Sequence, residues 1–587
     1  MTLAPDLQTI AEKSQFRQTG RLEEVEQLAE AFQRTWPDAV RSFEYGRSGE
    51  GRIMRALVVS RSGALTPEEI KRRGIPLLYL QGGIHPGESD GKDAGFISLR
   101  EILLGAIAPG ALDNLAILFV PAFNADGHER FARWNRPNQR GPEETGWRTT
   151  GRNINLNRDY TKADEPEMQA MLRLIDRWDP LICGDLHVTD GADFEPDISL
   201  QAEPIHIGDE RLWPHGVQLR DELIAKLAAQ GSIPLPFYPD FVEQDNPASG
   251  FQLTVYTPRF STGYFAMRNR LTVLVEVHSW KDYPTRVRVM RNTCLGLIEL
   301  AARHGRRWLA DAKAADAEDL RGKEIVLDLT AGWNEPTKPG VMRKKAASST
   351  ADVEMIDFRG YAYTRNKSEI SGDLVTVYDP TSPQVWRVPF RTQLTPAAVA
   401  LMPRGGYIVP PAYAAEIGGK LALHGIKFDR LMQDRGKTAV EVFRAGEAKF
   451  APGPFEGRTR VTLTGQWQRE QQAIPAGSLF VPTNQPLTRL AMALLEPTAA
   501  DSFAAWGLFN SCFEMKESFE PYVAEQIARE MLDRDPQCAA EFKTKLASDP
   551  AFAASPAARL EFFGRRHESW DERYNLYPIF RTDEVLT

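Results

Sequence analysis

The sequence predicts an α/β fold over roughly its first 310 residues, a sheet with helices on both faces, followed by a β-rich region and a helical end. Two observations carry this reading. Short apolar, β-branched runs alternate with amphipathic stretches, which is the rhythm of α/β domains. Several of those runs are apolar almost throughout, as strands covered on both faces are.

Taken in order, RLEEVEQLAEAFQRTW (21–36) spaces its apolar residues as a helix does, and IMRALVVS (53–60) and IPLLYLQ (75–81) read as strands. LAILFVPAF (115–123) is the longest uninterrupted apolar run, half of what a membrane-spanning helix needs, and reads as a buried strand. LICGDLH (181–187), QLTVY (252–256) and LTVLVEV (271–277) supply further strands. EMQAMLRLIDRW (167–178), LRDELIAKLAAQ (219–230) and the long stretch 284–313 carry helical periodicity. Ligands of such a sheet lie beyond the carboxyl ends of its strands.

From about residue 314 the long amphipathic periods stop. VLDLTAGW, VEMIDFRGYAYT, DLVTVYD and WRVPFRT are short strands between Gly, Pro, Asn and Asp turns. Helical segments return from AADSFAAWGLFN (499–510) through VAEQIAREML and CAAEFKTKLA, with breaks at Pro550 and Pro556. The expected organisation is a domain at 1–313 with an N-terminal helix, a β-rich region of one or two units at 314–496, and a helical region at 497–587.

The 587 residues suffice for several domain-sized units, or for one large α/β unit with smaller partners. With 42% hydrophobic and 26% charged residues, extensive disorder is excluded. The net charge of -8, from 71 basic and 79 acidic residues, argues against a nucleic-acid partner. The four cysteines show no C-x-x-C spacing, so neither a thiolate metal cage nor a disulfide-dense scaffold is indicated. The first twenty residues lack a secretory signal pattern, which points to the cytoplasm if Met1 is the natural start and to the periplasm or exterior if a signal preceded it.

The sharpest local feature is QGGIHPGESDGKDAG (81–95), where a strand runs into two glycines and presents His85 and Glu88 three positions apart, ahead of a helix. Imidazole nitrogen and carboxylate oxygen both suit Zn²⁺. His187 closes LICGDLH and completes a His/Glu/His set with a fourth position open for water, the pattern of a catalytic metal site. Asp185 and Asp190 compete as ligand or supporting group, and Asp185 suits an orienting role better. Glu276 interrupts the apolar run LTVLV, where a carboxylate is costly without a partner or a purpose, and His278 is an alternative ligand on the same strand. Between these segments lies an Arg- and Asn-rich loop, 130–162, in which Arg158 with Asn157 can form a fork for a carboxylate, while Arg136 or Arg133 can face a developing oxyanion.

The ordered set HPGE (85–88), NADG (124–127), NLNRDY (155–160), DLH (185–187) and LVEVH (274–278) resembles the zinc carboxypeptidases of peptidase family M14, in the large bacterial form with a C-terminal extension. The resemblance covers about residues 40–310 and implies an α/β/α sandwich around a mixed, largely eight-stranded sheet. It also implies one Zn²⁺ per chain on His85, Glu88 and His187, Glu276 as general base, and Asn157 with Arg158 on the substrate's terminal carboxylate. Arg136 is the expected oxyanion partner with Arg133 in reserve, and Tyr264, or else Tyr256, caps the substrate. The stretch 258–270 is expected to line the pocket for the substrate's terminal side chain. Ala125 stands where the family's turn has proline.

The implied function is hydrolysis of the C-terminal peptide bond by a zinc-activated, Glu-assisted water. The expected partner is a peptide, or an N-acyl amino acid, with a free C-terminal carboxylate. Alternatives are a zinc amidase or deacylase acting on N-acyl amino acids or peptidoglycan stem peptides, and a non-catalytic peptide- or glycan-binding protein. The first uses the same site; the second leaves Glu276 without a reason to interrupt its strand.

Overall fold

A computed structural model describes residues 6–331, 353–517 and 519–586. Its centre is an eight-stranded mixed sheet, in the spatial order β1-β2-β4-β3-β5-β9-β6-β7. The strands are β1 (Val40–Arg47), β2 (Ile53–Val59), β3 (Leu77–Gly82), β4 (Ala116–Val120), β5 (Ile182–Val188), β6 (Ile198–Glu203), β7 (Pro234–Leu235) and β9 (Leu271–Val277). The intervening β8 (Phe251–Gln252) belongs to another sheet. The middle strands β4, β3, β5 and β9 run parallel, so their carboxyl ends share one edge; β1, β2 and β6 supply the antiparallel pairs.

Strand side chains alternate between two apolar layers, as the period of two requires. Leu78 and Leu80 pack with Phe32, Phe96 and Val289 from the helices Leu22–Thr35, Asp90–Leu103 and Tyr283–Asp316. Tyr79 points the other way, toward Met168, Met171 and Ile175 of the helix Pro166–Trp178. That second layer does not stop at the sheet's own helices: Tyr407, Ile417, Leu421, Leu495, Phe509 and Tyr577 belong to the same apolar cluster.

Beyond residue 320 the strands form separate sheets. Glu324–Ala331 pairs with Leu394–Leu401, and a long hairpin, Val353–Lys367 with Leu374–Arg391, adds β8 at its edge. A six-stranded sheet contains Arg435–Phe450 and Val461–Ile474, and Phe580–Thr582 returns to pair within it. Helices Pro521–Arg534, Pro536–Ser548, Pro550–Ala554 and Pro556–Gly564 each start on a proline, whose fixed φ suits the first helical turn.

Two expectations differ in detail. The run 252–256 contributes only Gln252 to a strand, and that strand pairs with the hairpin rather than the central sheet. The stretch 499–510 is a succession of turns with Gly507 at φ +79, and most of its apolar residues are buried without an α-helix. Residues 332 and 333 of VLDLTAGW lie outside the described residues. All four cysteines are free. Among the described residues no helix is long and apolar enough to cross a membrane.

His424 ties the two halves together. Its Nε2 faces the Thr161 carbonyl (3.2 Å) and must donate, so its Nδ1 accepts from the Tyr264 hydroxyl (3.0 Å). Burial, with Arg268 and Lys420 nearby, pushes its pKa from 6.5 down to about 3. Below pH 6.5 the unfolded chain therefore binds a proton that the folded chain refuses. Stability is lost as pH falls from about 6.5 toward 3, by up to ~1.4 kcal/mol per pH unit from this ring. Thermal unfolding between pH 7 and 4.5 should show a shallower decline in Tm for His424→Gln than for the unaltered chain; equal slopes would assign the decline to other groups.

Candidate metal centre and active site

The site forms at the carboxyl edge of the parallel strands. β3 ends in Gly82 and continues through Gly83, whose φ of +69 is left-handed and whose Cβ would press against Ala122 Cα at 3.2 Å. This sharp exit turns the chain so that His85 and Glu88 precede the helix Asp90–Leu103. His187 is the penultimate residue of β5, and Glu276 is its register partner on β9.

His85, Glu88 and His187 each offer a ligand atom, all within 4.8 Å of one another and all buried. Glu88 bridges the rings: its Oε1 lies 3.0 Å from His85 Nδ1 and its Oε2 2.9 Å from His187 Nδ1. The far side of each ring also faces an oxygen, although His187 Nε2 makes no hydrogen bond among the described residues. His85 Nε2 faces Asn155 Oδ1 at 3.1 Å, and His187 Nε2 lies 3.1 Å from Asp185 Oδ2.

The donor set fits a divalent cation. His85 Nε2 donates to an amide oxygen, which leaves the Nδ1 lone pair facing a carboxylate oxygen. Burial pushes the His85 pKa down to about 3, with Arg148 and His187 adding, so the ring is neutral and acceptor faces acceptor. Such a pair calls for a cation between its members. Burial opposes charge on His187 as well, but Asp185, Glu88 and Glu276 outweigh it and hold its pKa well above 6.5. A metal ion held there would take the place of that proton. Burial also works against the Glu88 carboxylate, yet His85 and Arg136 hold its pKa well below the usual range. Asp185 accepts from Ser261 Oγ (2.6 Å) and Gln81 Nε2 (2.6 Å) besides facing His187, which makes it an orienting group.

Glu276 has a buried Oε2 with no hydrogen-bond partner among the described residues. Burial, with Glu88, Asp190 and Asp185 adding, pushes its pKa up to about 8; a cation held by the neighbouring triad would draw it back down. His278 stands apart from the triad: it stacks on Phe194 at 4.1 Å, and its ring nitrogens face Thr189 Oγ1 and the Phe194 amide, each at 3.3 Å.

Two arginines flank Glu88. Arg136 Nη1 is 3.1 Å from Oε1 with its side chain 9% exposed, and its stem fills the space over Gly87, where a Cβ would meet Arg136 Cγ at 2.4 Å. Arg148, absent from the expected set, lies 3.7 Å from the same oxygen and is 35% exposed. Arg133 is exposed and sits over Trp134, outside the site.

Asn157 and Arg158 follow on the short helical turn Leu156–Arg158. Asn157 Oδ1 is buried and has no hydrogen-bond partner among the described residues. Arg158 stacks over Phe260 at 4.3 Å, and Arg259 lies over the same ring at 5.2 Å. Burial, with Arg259 and Arg148 nearby, lowers the Arg158 pKa to about 10, the signature of a guanidinium that has too little negative charge around it.

Tyr264 requires a correction. It is fully buried, packs against Tyr160 at 5.2 Å, and its hydroxyl bonds to His424, so it cannot reach a substrate. Tyr256 and Tyr238, both half-buried, are the tyrosines whose hydroxyls feel the Glu276 charge, and Tyr256 feels Arg158 as well.

Residues 25–192, which contain all three candidate ligands, match the family model described as zinc carboxypeptidase. Carboxypeptidase 2 from Trichophyton equinum is 24% identical over 488 residues, covering 79% of either chain, and its counterpart from Trichophyton rubrum is 23% identical over 486. Among solved structures, carboxypeptidase A from Helicoverpa armigera overlaps 51% of this chain and 75% of its own at 16% identity, with a TM-score of 0.35. A metallo-carboxypeptidase from Burkholderia cenocepacia overlaps 49% and 69% at 17% identity, with a TM-score of 0.32. The family match spans the His/Glu/His segment and the relatives align over most of their length, so the chain is similar to zinc carboxypeptidases across its candidate site.

Proposed function

We propose that this chain is a carboxypeptidase that holds one Zn²⁺ on His85, Glu88 and His187 and removes the C-terminal residue from peptides. The observation that carries the reading is the convergence of three buried donors beside an unpartnered Glu276, with a cationic pocket around Arg158 on the neighbouring turn. Zinc, when bound, supplies a positive charge that polarises the scissile carbonyl and lowers the pKa of water. Glu276 accepts the proton of the attacking water and returns it to the departing amine. Arg136 and Arg148, from opposite arms of the 130–162 loop, face the charge that develops on the carbonyl oxygen. Arg158 and Asn157 hold the terminal carboxylate, which makes the enzyme an exopeptidase, because an internal bond presents no carboxylate there. Tyr256 takes the place expected of Tyr264 at the substrate.

The zinc-loaded chain should hydrolyse N-blocked dipeptides with a free C-terminal carboxylate, lose that activity to a chelator and regain it with zinc. Equal kcat/KM on the corresponding C-terminal amides would defeat the exopeptidase reading. His187→Ala should lower zinc stoichiometry while the fold survives, since the apolar layers do not rest on the metal; full zinc occupancy in that variant would remove His187 from the ligand set.

A further inference from the structure

The turn that carries Asn155, Asn157 and Arg158 is held from outside the N-terminal half. Glu456, about 300 residues later in the sequence, accepts the Asn155 backbone N–H on its Oε2 at 2.9 Å. Asn155 passes this placement on in two directions. Its Oδ1 accepts from the Asn157 backbone N–H at 3.0 Å and from His85 Nε2 at 3.1 Å. One carboxylate thus backs both the turn read as the carboxylate clamp and the ring of a candidate metal ligand.

The local backbone around Glu456 is unusual. Phe455 and Arg458 exchange both backbone hydrogen bonds, at 2.9 and 3.1 Å, and close a two-residue hairpin turn on Glu456 and Gly457. Both central residues have positive φ, +50 and +79. That pattern favours Asn-Gly or Asp-Gly, because the short polar side chain tolerates the left-handed region, and a glutamate enters it only at a cost. The longer side chain has what the favoured residues lack, one more methylene of reach. Flanking contacts fix the loop in register with the turn: Arg458 grips Asp164 with Nε and Nη2, both at 2.7 Å, Lys420 adds a second cation to Asp164 at 3.0 Å, and Trp506 Nε1 donates to Thr161 Oγ1 at 2.9 Å.

Building on the function proposed above, we propose that Glu456 is a positioning residue of the active site, and that the 451–458 loop is the means by which the C-terminal half sets the geometry of the carboxylate clamp and of His85. A turn residue kept against its local preference is expected where reach to a functional group matters more than turn stability.

Two variants of the full chain separate this from a merely structural role. Glu456→Asn suits the turn better but stops short of Asn155, whereas Glu456→Gln keeps both the reach and an acceptor oxygen. Glu456→Asn should have a Tm equal to or above that of the unaltered chain, yet lose about tenfold or more in kcat/KM on a blocked dipeptide with a free carboxylate, the loss expected for one hydrogen bond to a charged group. It should also release zinc faster to a chelator, and Glu456→Gln should recover most of both losses. A Glu456→Asn chain with unaltered kcat/KM and zinc retention overturns the proposal, as does a loss of activity that follows a matching drop in Tm. Should the unaltered chain hydrolyse none of the peptides, the functional reading fails, and zinc retention alone then decides for or against the brace.

Discussion

Replacing Glu276 by Gln should leave zinc bound and lower kcat by about 10²–10⁴, the range that general acid–base catalysis supplies. Size and much of the hydrogen-bonding capacity survive the change; the proton acceptor does not. Glu276 is the register partner of His187 across two parallel strands, close enough to serve the same reacting atoms, and its Oε2 has no other occupation. The same substitution at Glu88, which bridges both imidazoles, should instead weaken metal binding. Zinc occupancy measured beside single-turnover rates separates the two roles. A fully active Glu276→Gln chain, or one whose rate returns when zinc is resupplied, would take Glu276 out of the mechanism.

Arg158→Ala should cost about 2–5 kcal/mol of transition-state binding on free-carboxylate peptides, roughly 30- to 4,000-fold in kcat/KM, and little on C-terminal amides. Its guanidinium stacks on Phe260 with Arg259 and Arg148 nearby, a surplus of positive charge that an incoming carboxylate neutralises. Lysine at this position should recover only part of the loss, since a point charge cannot reproduce the planar fork. Parallel losses on both substrate classes would mean that Arg158 supports the fold of the turn rather than recognition.

The centre of the site was legible in the sequence because metal chemistry restricts residue types. His187 and Glu276 sit at the ends of apolar strands, His85 and Glu88 follow the end of another, and parallel strands bring such ends to one edge. The arginines were harder. The 130–162 loop holds seven of them, and only the folded loop shows that Arg136 and Arg148 reach Glu88 while Arg133 does not. Tyr264 misled for another reason. Every residue of the helix Ser261–Met267 is buried, so no polar face shows in the sequence which way its tyrosine points. Strand β1 escaped notice because only its first residue is buried, which leaves little apolar signal. Glu456 was beyond reach, since nothing local to an E-G turn announces a contact 301 residues away.

The apolar layer shared between the sheet and residues beyond 400 bears on how the chain is made. During synthesis the N-terminal half emerges first, with Tyr79, Met171 and Tyr264 exposed on a face whose covering residues, as far as Tyr577 and Ile579, have not yet been translated. At roughly ten residues per second that interval lasts about half a minute. Through it the nascent sheet carries an uncovered greasy side, and a ribosome-associated chaperone that holds such surfaces should raise the yield of active enzyme more than it would for a peptidase domain that closes on itself.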